Sequence, residues 1–189
     1  MRDCGAPLPD ATQATIASIC EHYRQTNQRL QFERLRFSRL TMHEAIERAA
    51  KGQRPVESRW IRCAHHTRKP RVALHEAARR LLALDRAIAA ARDFDALHEL
   101  VGRTTSGLKR LGPLYRYDVA PRIGHKTGVA PNCVYLHAGT RTGAAALDLD
   151  VDREKIPRQE FPAPLSSFTA AEIEDILCIY KERFATLRA

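Results

Sequence analysis

Thr104-Thr105-Ser106-Gly107-Leu108-Lys109-Arg110-Leu111-Gly112-Pro113-Leu114-Tyr115-Arg116-Tyr117-Asp118-Val119-Ala120-Pro121-Arg122-Ile123-Gly124 is the stretch whose reading decides the fold class. Gly112-Pro113 marks a tight turn that opens a helix. Proline's fixed φ suits the first helical position, where its missing N–H is no loss. The expectation is a hairpin-like segment around Gly112-Pro113 and a helix from Leu114 to His125, with Leu108 and Leu111 as apolar contacts before the turn. On that helix Asp118 and Arg122 stand four apart and share a face.

Working upstream, Asp93 can cap a helix through Val101 that turns Leu97, Leu100 and Val101 to a core. An Ala/Leu/Arg-rich helix over 72–91 precedes it, with Leu74, Ala78, Leu81, Leu82 and Ile88 on its apolar side. Thr41 followed by Glu44 is a capping box, opening a helix to Lys51 that Gly52 ends. Arg29 to Ser38 reads as helical or partly irregular. Asp10 or Thr12 can cap a helix through Asn27 that buries Ile16, Ile19, Cys20 and Tyr23. The first ten residues, with Gly5, Pro7 and Pro9, read as a loose lead-in. Between Gly52 and Val72 lies a basic connector (52–72), punctuated by Gly52, Pro55 and Pro70 and lacking apolar periodicity; long connectors of this kind tend to be functional or disordered.

Downstream, a turn over 128–134 leads to the short apolar run Val134-Tyr135-Leu136. A small-residue helix over 140–147, an acidic loop with Asp148, Asp150 and Asp152, and a proline-rich loop from Pro157 to Pro164 follow. Thr169 with Glu172 forms a second capping box and starts a final helix with Ile173, Ile176, Leu177 and Tyr180 on one face. The sum is an all-α fold: a single helical domain over 1–189, a compact bundle of about seven or eight helices.

Composition agrees with an ordinary globular chain, at 44% hydrophobic and 28% charged residues. No run of eighteen apolar residues offers a membrane span. The N-terminus lacks the apolar stretch of a secretory signal, and Gly does not follow Met1 as myristoylation requires. Five cysteines stand far apart with no CxxC pair, which argues against a disulfide framework. The expected compartment is the cytoplasm.

Charge is distributed unevenly. Residues 1–50 hold seven Lys/Arg against six Asp/Glu, residues 51–126 hold seventeen against seven, and residues 127–189 hold seven against nine. The formal net charge of +9 therefore arises in the middle segment. A segregated excess builds a local field that attracts polyanions, of which nucleic acid is the commonest in a cytoplasm. A solvated basic surface or an acidic protein partner is the plainer alternative.

Residues 104–124 resemble the helix-hairpin-helix module of DNA-binding proteins. In that family two short helices flank a Gly-hydrophobic-Gly hairpin, whose amides and following helix N-terminus grip a phosphate. Leu108 and Leu111 take the apolar positions and Gly112 the second glycine, while Arg110 stands where the family has its first. The resemblance implies phosphate contacts from Lys109, Arg110 and Gly112. The physics is general: glycine permits close backbone approach, and free amides with the helix dipole favour an anion. Helix-hairpin-helix glycosylases carry an assisting Asp farther along, but Asp118 lies only six residues past Gly112. The four-cysteine iron–sulfur cluster of some members has no counterpart either, so their catalysis is not implied.

The leading expectation is thus a nucleic-acid-binding protein, DNA ahead of RNA. It would contact the phosphate backbone through Arg59, Arg62, Arg68, Lys69, Arg71, Lys109, Arg110 and Gly112. A second expectation is an enzyme acting on a nucleotide or nucleic acid, with Asp118 and His137 as a proton-transfer pair in a pocket with Tyr117, Arg122, Tyr135 and Arg141. The plainer reading of those six is a buried hydrogen-bond network. A third is a non-catalytic adaptor or immunity domain for a protein partner. Whether the chain is an enzyme stays open. Gly139 and Gly143 suit either backbone approach to an anion or a close helix contact. Cys63, His65 and His66 offer metal-ligand types, yet a second ligand pair at zinc spacing is missing, so no metal and no cofactor are expected. Trp60, between Arg59 and Arg62, can stack on a base or anchor a loop.

Overall fold

The computed structural model describes residues 10–186, which are mostly helical, with helix over 63% of them and two small two-stranded sheets. In chain order the elements are α1 (Asp10–Thr26), α2 (Arg29–Ser38), α3 (Met42–Ala50), β1 (Gln53–Val56), β2 (Arg59–Arg62), α4 (Ala64–Thr67), α5 (Arg71–Leu82), α6 (Asp85–Ala89), α7 (Phe94–Thr104), α8 (Pro113–Thr127), β3 (Cys133–Tyr135), α9 (Ala138–Ala145), β4 (Lys155–Pro157), α10 (Ala170–Ile179) and α11 (Lys181–Ala185). The lead-in expected over residues 1–10 lies outside the described residues, apart from Asp10, where α1 begins. None of the described helices is long and apolar enough to cross a membrane.

The chain gathers into two compact units: a central one of residues 29–131 and a terminal one of residues 1–28 with 132–189. In the central unit α8 packs against α2, α3 and α7, and α5 packs against α3 and α7. The capping chemistry explains where these helices begin. Thr41 Oγ1 accepts from the Glu44 N–H at 3.2 Å while the Thr41 N–H donates to Glu44 Oε2 at 2.9 Å. Asp93 Oδ1 accepts from the Ala96 N–H at 2.8 Å and starts α7. The core consists of fully buried Phe37, Ile46, Leu74, Leu81, Leu97, Tyr115 and Ile123.

The stretch 52–72 differs from the expected connector. It carries an antiparallel hairpin, with Gln53 opposite Arg62 and Pro55 opposite Trp60, followed by the single turn of α4. One face turns to the core: Pro55 is buried, and Trp60 meets Phe37 edge-on with ring centroids 5.2 Å apart. The other face holds Arg54, Arg59 and the exposed Ile61, so alternation was present over too few residues to read. The expected helix over 72–91 is also two helices, α5 and α6, broken at Ala83-Leu84.

In the terminal unit α9 packs on α10 and α11, and β3 pairs with β4, Val134 opposite Ile156. Its core joins Ile16, Ile19 and Tyr23 of α1 to Val134, Ile156, Phe168, Ile173, Leu177 and Phe184. Thr169 and Glu172 cap α10 reciprocally, as the sequence predicts. Gly143 is a helix-contact residue: a Cβ there would stand 2.8 Å from the Leu177 carbonyl oxygen, closer than side chains come.

Candidate nucleic-acid interface

The turn between α7 and α8 is built by local hydrogen bonds, Leu108 N–H to the Thr105 carbonyl and Leu111 N–H to the Leu108 carbonyl, each 3.2 Å. Arg110 sits in the left-handed region at φ 65°, a conformation that glycine adopts more cheaply. Gly112 is extended at the cap of α8 and Pro113 is the first helical residue. Gly112 offers no side-chain oxygen to the amides of the first turn, so they are open to an external acceptor.

Two basic segments far apart in sequence meet at this turn. Lys69 Nζ donates to the Arg110 carbonyl oxygen at 2.9 Å, which brings Arg68, Lys69 and Arg71, between α4 and α5, to Lys109 and Arg110. Burial holds the Lys69 ammonium below its ordinary value, with Asp118 pulling upward and Arg110 adding to the depression. Arg59, Arg68, Arg71, Lys109 and Arg110 are exposed, and Arg62 and Lys69 are half-buried. None of the seven has a carboxylate partner among the described residues. Other cations of the unit do: Arg79 and Arg80 share Glu76 at 2.7 and 2.8 Å, Lys51 holds Glu47 at 2.6 Å, and Arg103 holds Glu99 at 3.3 Å.

The division into units sharpens the charge asymmetry. Residues 29–131 hold twenty-two Lys/Arg against ten Asp/Glu, a balance of +12. The terminal unit holds nine against twelve, a balance of −3.

Beneath the α4 end of this surface lies a buried polar cluster. Arg122, only 4% exposed, donates from Nε to Glu33 Oε1 at 2.9 Å, from Nη1 to the Asp118 carbonyl at 2.9 Å and from Nη2 to Cys63 Sγ at 3.1 Å. Burial opposes its charge, yet Glu33 and Asp118 hold the guanidinium above its ordinary value. Burial also pushes the Cys63 thiol up, against the pull of Arg122, so it remains a thiol and not a nucleophile. His66, wholly buried, donates from Nε2 to Asp118 Oδ2 at 2.7 Å; a carboxylate only accepts, so that nitrogen carries the proton. Burial lowers the His66 imidazole despite Asp118, which keeps it neutral, and Nδ1 has no hydrogen-bond partner. Burial would raise the Asp118 carboxyl, but the His66 bond and the Arg122 charge leave it below its ordinary value. The His66 ring rests on Gly52, where φ is 65° and an added Cβ would lie 1.8 Å from Nδ1.

The six residues read as a pocket divide between the units and are anchored separately. Tyr117, Asp118 and Arg122 lie on α8 in the central unit, and Asp118 takes His66 as its partner. Tyr135, His137 and Arg141 lie in the terminal unit, where His137 Nε2 pairs with Glu174 and Arg141 donates to the Val151 carbonyl. Thr140 Oγ1 accepts from the His137 N–H at 2.8 Å, fixing the start of α9. Among the described residues no group of His, Cys, Asp and Glu is arranged to hold a metal ion. Trp60 serves as an anchor, with the Arg48 guanidinium 4.4 Å above its ring.

Glu33 and Ala50 were not legible as parts of this region, and His66 was read only as a metal-ligand type in the basic connector. Ala50 contributes a carbonyl that accepts from the Tyr115 hydroxyl at 2.8 Å. A lone Glu between Phe32 and Arg34 on an arginine-rich helix gives no sequence signal for burial; only its tertiary partner Arg122 explains it. Comparison with known proteins finds no family model, no curated protein and no solved structure that matches this chain.

Proposed function

We propose that the protein binds nucleic acid, DNA ahead of RNA, through the phosphate backbone, and that the central unit carries the interface. The observation that supports this is the meeting of two basic segments at the Lys69–Arg110 hydrogen bond, in a unit of net +12, where Arg68, Lys69, Arg71, Lys109 and Arg110 lack carboxylate partners among the described residues. Unpaired cations gathered on one surface attract a polyanion and release its counterions, whereas cations already paired contribute little. The turn before α8 adds a helix-hairpin-helix-like element. Arg110, which stands where the motif has its first glycine, adopts a left-handed backbone that glycine favours, and the uncapped start of α8 supplies amides for one phosphate. Because phosphate contacts carry no sequence information, binding through them is expected to depend weakly on sequence.

Fluorescence anisotropy of a labelled duplex titrated across salt concentrations tests the reading. The double substitution Lys109→Glu and Arg110→Glu should weaken binding for all sequences alike and reduce the logarithmic salt slope by about 2. Affinity that is indifferent to salt, or that survives the double substitution unchanged, refutes it.

A further inference from the structure

Helix α2 leaves two large apolar side chains in water. Phe32 is 37% and Leu35 47% exposed, on a face turned away from the buried Glu33 and Phe37. Glu33, the one acid of the helix, is engaged inward by Arg122. What α2 and its C-terminal end show to solvent is therefore cationic as well as apolar. Arg34 and Arg39 are exposed and Arg36 is half-buried, and none of the three has a carboxylate partner among the described residues.

Rings, not acids, hold Arg36. Its Cζ lies 6.0 Å from the Phe32 centroid and 5.8 Å from that of Trp60, which Arg48 meets in turn at 4.4 Å. Cation–π attraction of this kind orients a guanidinium without using its N–H groups. Arg36 makes no hydrogen bond and no ion pair among the described residues, so those donors are available to an anion. The exposed Phe32 ring offers a flat apolar face to another flat ring. An unpaired nucleotide carries both complements, a planar base and a phosphate. A second copy of this chain fits poorly, because a twofold contact through this face would set the arginines against their own counterparts.

We propose that the exposed face of α2 is a stacking platform for unpaired bases of a nucleic-acid strand, with Phe32 taking a base on its open face and Arg36 holding phosphate. The proposal rests on the nucleic-acid reading above and extends it from phosphate contacts to the bases themselves. Stacking tolerates any sequence, because every base has a π face, so it adds affinity without base-edge readout. It does require a base free of its partner and neighbours, since bases inside a duplex are reached only by extruding them. The platform therefore separates a strand with accessible bases from a bare backbone of equal charge, which phosphate contacts alone do not.

The test uses the full chain and two fluorescein-labelled single strands of about twelve units, an oligothymidylate and an abasic strand of the same length and charge. Anisotropy titrations at fixed salt give the ratio of their affinities. The wild type is expected to bind the oligothymidylate about tenfold more tightly than the abasic strand. Phe32→Leu keeps an apolar side chain and the net charge but has no π face, so most of that ratio should be lost. Phe32→Tyr restores the ring and should recover it; circular dichroism and melting establish that each variant is folded. Equal wild-type affinities for the two strands, or a ratio that Phe32→Leu leaves unchanged, overturns the proposal. A wild-type dimer in sedimentation velocity that Phe32→Leu converts to monomer also overturns it, by assigning the face to a second copy. Should the proposal fail while duplex binding still weakens steeply with salt, the phosphate-backbone reading survives; failure to bind any strand or duplex removes both.

Discussion

His125 provides a quantitative test of the central unit's packing. It lies near the end of α8 beside Phe37, with ring centroids 6.5 Å apart, and burial with the nearby Arg122 and Arg34 charges pushes its imidazole down to about 4. In the unfolded chain the same ring titrates near 6.5. Between those values the unfolded state binds a proton that the native state refuses, so stability falls as pH falls. The full contribution is present above the unfolded value. About 2 kcal/mol of it is lost by pH 5 and about 3 kcal/mol by pH 4. Urea denaturation at neutral and acidic pH, followed for wild type and His125→Gln, measures this as a difference of differences. Other groups that titrate alike in both chains, His66 included, cancel. The variant should lose about 2 kcal/mol less than the wild type on going from neutral pH to pH 5. Equal losses, or an imidazole resonance of His125 with a midpoint near 6.5, would refute the burial argument.

Two further outcomes follow from the cluster under the basic surface. Gly52→Ala must place a Cβ inside the His66 ring at a backbone φ of 65°, so it should cost about 2 kcal/mol or more; in a double-mutant cycle His66→Ala should relieve part of that cost, and strict additivity in thermal melts would argue against the contact. Arg122→Met leaves Glu33 buried without its partner, for an expected loss of about 3–5 kcal/mol. The double variant Arg122→Met with Glu33→Leu should be more stable than Arg122→Met alone; chemical denaturation in which the second substitution worsens the first would contradict the ion-pair account.

Much of the helical architecture was legible because its signals are local. Thr41 with Glu44, Asp93, and Thr169 with Glu172 each announce a helix start through contacts made within four residues, and all three caps are present. The β1–β2 hairpin was not legible: its strands have four residues each, one contains Pro55, and the inward Trp60 is flanked by arginines that masked the alternation. Leu84 gave no warning of the break between α5 and α6, since no glycine or proline marks it. The basic surface was half legible. Composition located its charge, but the contact between Lys69 and Arg110 spans forty-one residues and depends on how α4 is held to α8 through His66 and Asp118. Asp118 was correctly placed on a face with Arg122, yet its imidazole partner came from fifty-two residues away, where two adjacent histidines gave no indication of which would be buried.

Trp60 is the chain's one tryptophan, and it sits edge-on to Phe37 under the Arg48 guanidinium within the central unit. Indole emission is therefore an intrinsic reporter of water entry into residues 29–131, whereas far-ultraviolet ellipticity sums helices from both units. Superimposed denaturation curves from the two signals would mean cooperative melting of the whole chain, and displaced curves would time the central unit separately, without a label or a truncation.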